Sequence, residues 1–534
     1  MLQTINRWTQ DATLPRLLAQ YLGPEGRAWL EPRLDRLGAA TEQLDHWAAL
    51  ADRHPPRWVP RDRLGCSLDE LEFHPAYRDL QRSSYGQGII ADYYQPDTRR
   101  LLGTAREVAK FAEGYLFSQA EQGLYCPICM TDGSAHLIER FGSVEQQQRY
   151  LPHLTATSLD QLWEGAMYLT EKSGGSDVGA LETVARQVAD QFSLHGEKWF
   201  CSNAGAEVAL VLARPEGADG GTRGLGLFIL PRHRPDGSLN GLKLQRLKDK
   251  LGTRSMPTGE YLLEGALAEP LGALDRGFLE MTEMLNLSRL YNSTASVALM
   301  RRALSECLRY GKARQSFGRP LLGHVALRQQ LIDRLLDLES SLHLVFFLAS
   351  CRGHVLCDCA SSEQQQLLRL LTPLAKLTTG RQAVLAASEA VEFHGGNGYV
   401  EDWPLARLLR DAQVLPIWEG TTQILALDTL RSCQKEGCHE ALFEFLKRHG
   451  QEPSLHWART ELEKELAQLL RDPAAAIPLP WCWKATRAVQ ASLLLSSANG
   501  PRSQRLANRF LVRHFKPGLR GCDTNDFEVL FPEL

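Results

Sequence analysis

The spacing of apolar residues changes twice along the chain. Up to about residue 160 they recur at helical intervals broken by prolines: Thr104 to Gly123 and Ala135 to Leu151 predict amphipathic helices, and His54-Pro-Pro-Arg57 with Trp58-Val-Pro60 predicts a loop. From Thr170 to about Pro270 the runs are short. Val208-Ala-Leu-Val-Leu212, Leu225-Gly-Leu-Phe-Ile-Leu230, Leu242-Lys-Leu244 and Tyr261-Leu-Leu263 are separated by Pro231, Asp236-Gly237 and Asn240-Gly241, which predicts a small β domain. From Gly277 the helical period returns. Leu331, Leu335, Leu338, Leu342, Val345 and Ala349 alternate steps of four and three, a buried stripe on one long helix, with Asp333, Arg334, Asp337 and Glu339 largely off it. A second long helix, Gln364 to Phe393, is stopped by Gly395-Gly396. A further helical block runs from about Cys433 to the end.

This order predicts an α+β chain, mainly α, in four parts. They are an N-terminal helical domain with an N-terminal extension at 1–165, a small β-barrel or sandwich at 166–275, a four-helix bundle at 276–432, and an extra helical domain at 433–534. The length of 534 residues agrees, since one core does not grow so large. Hydrophobic residues at 44% and charged residues at 23% are ordinary for a soluble globular protein. No run of about 18 uncharged apolar residues is present, so no membrane span is expected. The N-terminus lacks a basic patch followed by an apolar segment, and a cytoplasmic protein with reduced thiols is the expectation for its 12 cysteines. Cys126-Pro-Ile-Cys129 has no second knuckle, and Cys351, His354 and Cys357 have no fourth clear ligand, so packed thiols are expected and no metal. The net charge of −3 excludes a uniformly basic chain, yet Lys484 to Arg520 holds eight Lys or Arg and no acid.

Four segments carry candidate chemistry. In Met167-Tyr-Leu-Thr-Glu-Lys-Ser-Gly-Gly-Ser-Asp-Val178 a strand enters a glycine-rich turn. Gly174 and Gly175 let backbone approach a ligand, and Thr170 and Ser176 offer hydroxyls. Standing alone, it would read as a surface turn. Arg314-Gln-Ser-Phe-Gly318 follows a helix, where an arginine also suits the C-terminal dipole. Glu392-Phe-His-Gly-Gly-Asn-Gly-Tyr399 ends the next long helix. Leu415-Pro-Ile-Trp-Glu-Gly-Thr-Thr-Gln-Ile424 sets Glu419 in an apolar run, where burial raises a carboxyl toward neutrality. Gly224-Leu-Gly226 and Gly396-Asn-Gly398 each lack the third glycine of G-x-G-x-x-G, so a Rossmann dinucleotide site is not indicated.

Together, in this order over about 260 residues, these segments resemble the acyl-CoA dehydrogenase superfamily. They are similar to its T-E-x-x-x-G-S-D, R-x-x-F-G, Q-x-x-G-G-x-G-Y and Y-E-G-T-x-x-I motifs, with Glu392 in place of the glutamine. Gly196-Glu-Lys-Trp-Phe-Cys-Ser-Asn203 resembles the family's next flavin strand. Ser67-Leu-Asp-Glu-Leu-Glu-Phe-His-Pro-Ala76, Cys126-Pro-Ile-Cys-Met-Thr131 and Arg246-Leu-Lys-Asp-Lys-Leu-Gly252 resemble the AidB branch, as do the long N-terminal part and the extra C-terminal block.

The resemblance implies an acyl-CoA dehydrogenase-like fold and FAD as cofactor. In the β domain it implies cofactor contacts at Leu169, Thr170, Gly175, Ser176, Phe200 and Ser202. In the helical region it implies them at Arg314, Phe317, Glu392, Gly395 and Gly396, and at Thr421 and Gln423. An ionised Glu392 accepts hydrogen bonds but donates none. Ser176, Arg289 and Trp418 are the implied substrate contacts. The arginine of R-x-x-F-G reaches the FAD pyrophosphate of a neighbouring subunit in the family, which implies an oligomer, a homotetramer.

Desaturating an acyl-CoA thioester needs a base for the α-proton, stabilisation of the developing enolate, and a hydride acceptor for Cβ. The base maps to Glu419; otherwise Glu419 would be a structural helix-start residue. An electron-transfer flavoprotein is the implied electron acceptor. At the C-terminus, Asn499-Gly-Pro501 predicts a helix start and Pro517-Gly518 a stop. Between them Arg502, Arg505, Arg509, Arg513 and Lys516 fall on one stripe, with Leu506, Phe510, Leu511 and Phe515 toward the other side. Such a face is either solvated or an intersubunit salt-bridge surface, or it binds duplex DNA phosphates, as the resemblance to AidB implies. The competing readings are therefore an acyl-CoA dehydrogenase and a DNA-protecting flavoprotein with little dehydrogenase activity.

Overall fold

The computed structural model describes residues 5–449, 452–516 and 526–532. The chain is mainly helical with one β domain, as expected, and divides into two compact units. One comprises Glu42–Thr98 and Ala120–Ser288; the other comprises Met1–Thr41, Arg99–Gln119 and Arg289–Leu534.

The first unit holds nine strands. β1 (Arg57–Arg61) and β2 (Ser67–Glu72) form an antiparallel pair where a loop was expected; the ladder shifts register between Val59 and Arg61, skipping Pro60, which has no N–H to donate. The other strands are β3 (Gly165–Tyr168), β4 (Val184–Val188), β5 (Gln191–Ser202), β6 (Val208–Pro215), β7 (Gly226–Pro231), β8 (Leu242–Leu247) and β9 (Thr258–Pro270). The order β6, β4, β5, β9, β7 closes on itself through β7–β6 pairing, giving a small barrel with β3 added to β6 and β8 to β9. Ala185, Leu194, Val211, Phe228 and Leu263 belong to its core. β6 is buried from Val208 to Ala213, which is why it reads as a continuous apolar run instead of an alternating one. The single helix expected over Ala135 to Leu151 is two, Tyr125–Phe141 and Val144–Leu154. Gly142 ends the first, and Ser143 and Gln146 form a reciprocal capping box on the second.

The second unit is helical. Its long helices include Gly277–Ala313 from residue 289 onward, Val325–Leu356 and Ser362–His394, followed by Thr422–Glu436, Leu479–Ser496 and Pro501–Phe515. The predicted stripe on Val325–Leu356 is buried, but Asp337 and Glu339, expected off it, are buried too. Helices of the C-terminal block cover that side and bring their own counter-charges. Arg502 donates to Glu339 at 2.6 Å, Arg301 lies 3.6 Å from the same carboxylate, and Thr13 donates to it. Tyr115 donates to Asp11 at 2.7 Å and accepts from Arg301. Burial alone would raise the Glu339 carboxyl; Arg502 and Arg301 instead hold it down to about 2.

The basic stripe is therefore not an open cationic face. Arg502 is buried against Glu339, Arg505 and Arg509 pair with Asp526 at 2.8 and 3.0 Å, Arg513 with Asp337 at 3.1 Å, and Lys516 with Glu452 at 2.8 Å. Pro501–Phe515 begins where expected; the predicted stop at Pro517-Gly518 lies outside the described residues.

Candidate active site

In the helical unit the candidate base sits on a strained turn. Glu419 has φ +59°, a left-handed conformation that costs a side-chain-bearing residue ~1–2 kcal/mol, and Gly420 follows at φ +101°, where a Cβ is disfavoured. The Thr422–Glu436 helix begins beyond this turn with Thr421 as N-cap, so Glu419 is not a helix-start residue.

Three side chains from two helices hold the carbonyls of this segment. Asn292 Nδ2 donates to Leu415 O at 3.2 Å, Arg289 Nε to Glu419 O at 3.3 Å, and Lys376 Nζ to Gly420 O at 2.5 Å. Arg289 is fixed by Asp428 at 2.8 Å, and Asp428 also takes Arg369 at 2.8 Å. The Ser362–His394 helix approaches closely because residue 380 is glycine; a Cβ there would stand 3.1 Å from Leu415 O. Trp418 keeps a buried Nε1 with no hydrogen-bond partner. Arg289 is thus brought to the segment that carries Trp418 and Glu419.

The remaining motif residues of this unit are at its surface. β10 (Gln315–Ser316) and β11 (Arg319–Pro320) form a two-residue hairpin whose tip, Phe317 and Gly318, has positive φ at both positions, and Phe317 is 95% exposed. Arg314 is exposed just past the end of Gly277–Ala313. Glu392 is exposed in the last turn of Ser362–His394, and Gly395 and Gly396 present bare backbone with nothing within 4 Å of a Cβ position. Thr421 and Gln423 are exposed, and the Thr421 side chain makes no cap bond.

In the β unit, Leu169 and Thr170 lead from β3 into a turn closed by reciprocal Glu171–Gly174 backbone bonds, with Gly175 and Ser176 exposed beyond it. Trp199 N donates to Thr170 O at 2.9 Å, tying the turn to β5, where Phe200 is exposed and Ser202 half-buried. Lys198, fully buried, donates to Glu171 at 2.8 Å and to Leu212 O at 2.9 Å, and Glu171 also accepts from the Glu182 and Thr183 amides. Burial pushes Glu171 up, but Lys198 and these donors bring it below its ordinary value.

Lys198, Lys376, Asn292 and Asp428 were not singled out from the motifs. Lys376 carries a signal in retrospect: in Leu374-Ala-Lys-Leu377 it is a lone cation in an apolar helical stretch.

The residues of each unit, taken by itself, suit FAD. In the β unit Ser176 offers an exposed hydroxyl and Phe200 an exposed aromatic; in the helical unit Gly395 and Gly396 offer bare backbone, Phe317 an exposed aromatic and Trp418 a buried indole N–H that calls for an acceptor.

Residues 1–161 match the adaptive response protein AidB N-terminal domain, 166–266 the acyl-CoA dehydrogenase middle domain, and 275–433 the acyl-CoA dehydrogenase C-terminal domain. The chain belongs to the acyl-CoA dehydrogenase family, with the N-terminal domain of its AidB branch. It is 37% identical to acyl-CoA dehydrogenase family member 11 of Caenorhabditis elegans over 463 residues, 85% of this chain and 73% of the relative. It is 30% identical to the putative acyl-CoA dehydrogenase AidB of Escherichia coli over 531 residues, 93% and 94% of the two chains. A crystal structure of a Caenorhabditis elegans relative, ACDH-11 in complex with C11-CoA, matches with a TM-score of 0.88 at 31% identity, covering 96% of this chain and 92% of that one.

Proposed function

We propose that the protein is an FAD-dependent acyl-CoA dehydrogenase in which Glu419 is the base that takes the α-proton of an acyl-CoA thioester. The observation that carries this is the Glu419 turn: a carboxylate on strained backbone whose own carbonyl and the next are both held by cationic or amine donors. Such a turn fixes the side chain instead of letting it sample rotamers in solvent. FAD, when bound, supplies the acceptor for the two electrons that leave Cβ as hydride. The Cα proton passes to a Glu419 oxygen, the Cα–Cβ double bond forms, and Glu419 ends neutral. Arg289 holds the peptide of the base, and Trp418 and Ser176 are the remaining substrate contacts of the reading. Leu169, Thr170, Gly175, Phe200, Ser202, Arg314, Phe317, Glu392, Gly395, Gly396, Thr421 and Gln423 are its cofactor contacts.

The reading extends to a homotetramer, to an electron-transfer flavoprotein as acceptor and to the cytoplasm. The exposed Arg314 and Phe317 hairpin supports the first. Buried reduced thiols at Cys201, Cys307, Cys351 and Cys482 support the last. Among the described residues no helix is long and apolar enough to cross a membrane. The DNA-protecting alternative rests on the resemblance to AidB and on the basic helix. The five cations of that helix face Glu339, Asp526, Asp337, Asp333 and Glu452, and we do not adopt it.

Anaerobic titration of the purified flavoprotein with a panel of acyl-CoAs, followed by flavin absorbance, tests the proposal. Wild type should bleach, and Glu419→Gln should slow bleaching by about 10²–10⁴-fold. A folded protein that takes up no flavin, or a Glu419→Gln variant as fast as wild type, overturns it.

A further inference from the structure

Lys376 stands at the base of the candidate turn in a position that a merely structural residue would not need. Its side chain is 0% exposed on the Ser362–His394 helix, and its hydrogen bond is to one acceptor, Gly420 O at 2.5 Å. An ammonium has three N–H donors and a neutral amine two, so the single acceptor leaves the charged form further from satisfied than the neutral one. The charged groups around it are Glu419 from the turn and Arg289 from Gly277–Ala313; beyond them lie Asp428 on Thr422–Glu436 and Arg369 on its own helix. Among the described residues no carboxylate forms an ion pair with it.

The peptide planes give the bond a mechanical meaning. All peptides here are trans, so a carbonyl held on one side directs the N–H of the same plane to the other. Arg289 orients the 419–420 plane and Lys376 the 420–421 plane. Between them the two fix the ψ of Glu419 and both torsions of Gly420, the residue that would otherwise let the turn relax.

We infer that Lys376 is a positioning residue for Glu419: its amine clamps the Gly420 carbonyl and so holds the turn of the base. This rests on the assignment of Glu419 as base. Burial lowers the Lys376 amine to about 7, against attraction from Glu419, and Arg289 lowers it further, so its charge changes within the working range of the protein. An ammonium stabilises the Glu419 carboxylate and makes it a weaker base; the neutral amine leaves it stronger.

The test compares flavin-loaded wild type, Lys376→Met and Lys376→Arg. Lys376→Met should keep its flavin and reduce it about 100-fold more slowly, with KM within about threefold, the pattern of a misplaced group and not of lost binding. The rise in wild-type rate as pH passes through about 7 should vanish in both variants, since neither titrates there, while Lys376→Arg, which keeps a donor, should recover part of the rate. A second readout needs neither flavin nor substrate: amide hydrogen exchange of the peptide spanning 414–424 in the apoprotein should speed up by about tenfold in Lys376→Met. Unchanged exchange, unchanged rate per bound flavin and an unchanged pH profile would overturn the inference, even with a lower melting temperature. If no acyl-CoA bleaches the wild type while exchange still responds, the functional reading fails and the clamp stands.

Discussion

Two buried lysines, one in each unit, do the same job with different electrostatics. Lys198 in the barrel and Lys376 in the helical unit are both 0% exposed, and each donates to a backbone carbonyl, Leu212 O and Gly420 O respectively. Lys198 also ties the turn that carries Leu169 to Ser176, through Glu171. The difference is the carboxylate: Glu171 lies 2.8 Å from Lys198, and among the described residues no ion pair reaches Lys376. A charge with a bonded counter-charge is a fixed strut, because removing either partner strands the other. An amine with only a carbonyl is free to lose its proton. The barrel turn is built to hold still, and the Glu419 turn is built around a group whose charge depends on pH.

The most damaging change should be Lys198→Met. It leaves Glu171 buried without its cation, and breaking such a pair costs ~3–5 kcal/mol. Denaturant unfolding measures it, with weaker FAD uptake expected alongside. Lys198→Met with Glu171→Met should recover part of the loss by removing the stranded charge. A loss below about 1 kcal/mol for Lys198→Met alone would erase the distinction between the two lysines. Arg502→Met should come next, at ~1–3 kcal/mol, because Arg301 and Thr13 stay on Glu339. The sign with pH follows from the depressed carboxyl. Glu339 contributes stability that is present above its ordinary value near 4.5 and is lost as pH falls toward about 2. Arg502→Met should therefore narrow its gap from wild type in acid.

These two charge clusters also mark where the sequence stops being informative. The barrel strands, the long helices and the Glu419 turn were legible because each is written locally, in apolar spacing, glycine turns and short motifs. The partners of the basic helix were not. From Lys484 to Arg520 there is no acid at all, and the counter-charges come from Asp333, Asp337, Glu339, Glu452 and Asp526, most of them far away in the chain. A cationic stripe read without its tertiary partners looks like an open cationic face. Helical period misled at Glu339 for the same reason, since a helix covered on both sides has no polar face. Pro60 and Gly142 misled locally: one strand bulges past a proline that suggested a loop, and a capping box at Ser143 divides a periodic stretch into two helices.

A smaller effect separates the lysines by pH. The folded protein holds Lys376 near 7 while the unfolded chain protonates it up to its ordinary value near 10.5, so between these limits the unfolded state binds more protons. Stability from this group therefore rises with pH across that window, by at most ~1.4 kcal/mol per pH unit, and reaches its floor below 7. Wild type minus Lys376→Met, measured by urea unfolding at pH 6, 7, 8 and 9, should show that slope. A flat difference would mean that the amine keeps its proton at every pH measured.

The smallest effect is the most discriminating. At pH 10.5 Lys376 is neutral in the folded protein and about half neutral in the unfolded chain, so little cost of shedding its proton remains, and Lys376→Met replaces an amine by a thioether of similar length in a fully buried site. The substitution loses one hydrogen bond to Gly420 O and gains an apolar group where burial favours it, so the net change in stability should stay within ~1 kcal/mol of zero. Lys198→Met at the same pH still strands Glu171, because that carboxylate is ionised throughout. Thermal and denaturant unfolding of the two variants side by side at pH 10.5 should thus give one large loss and one near-zero change, although both substitutions remove a fully buried lysine that holds a backbone carbonyl. Equal losses would assign Lys376 to the scaffold; a near-zero change accompanied by slow flavin reduction would separate its place in the chemistry from its place in the fold.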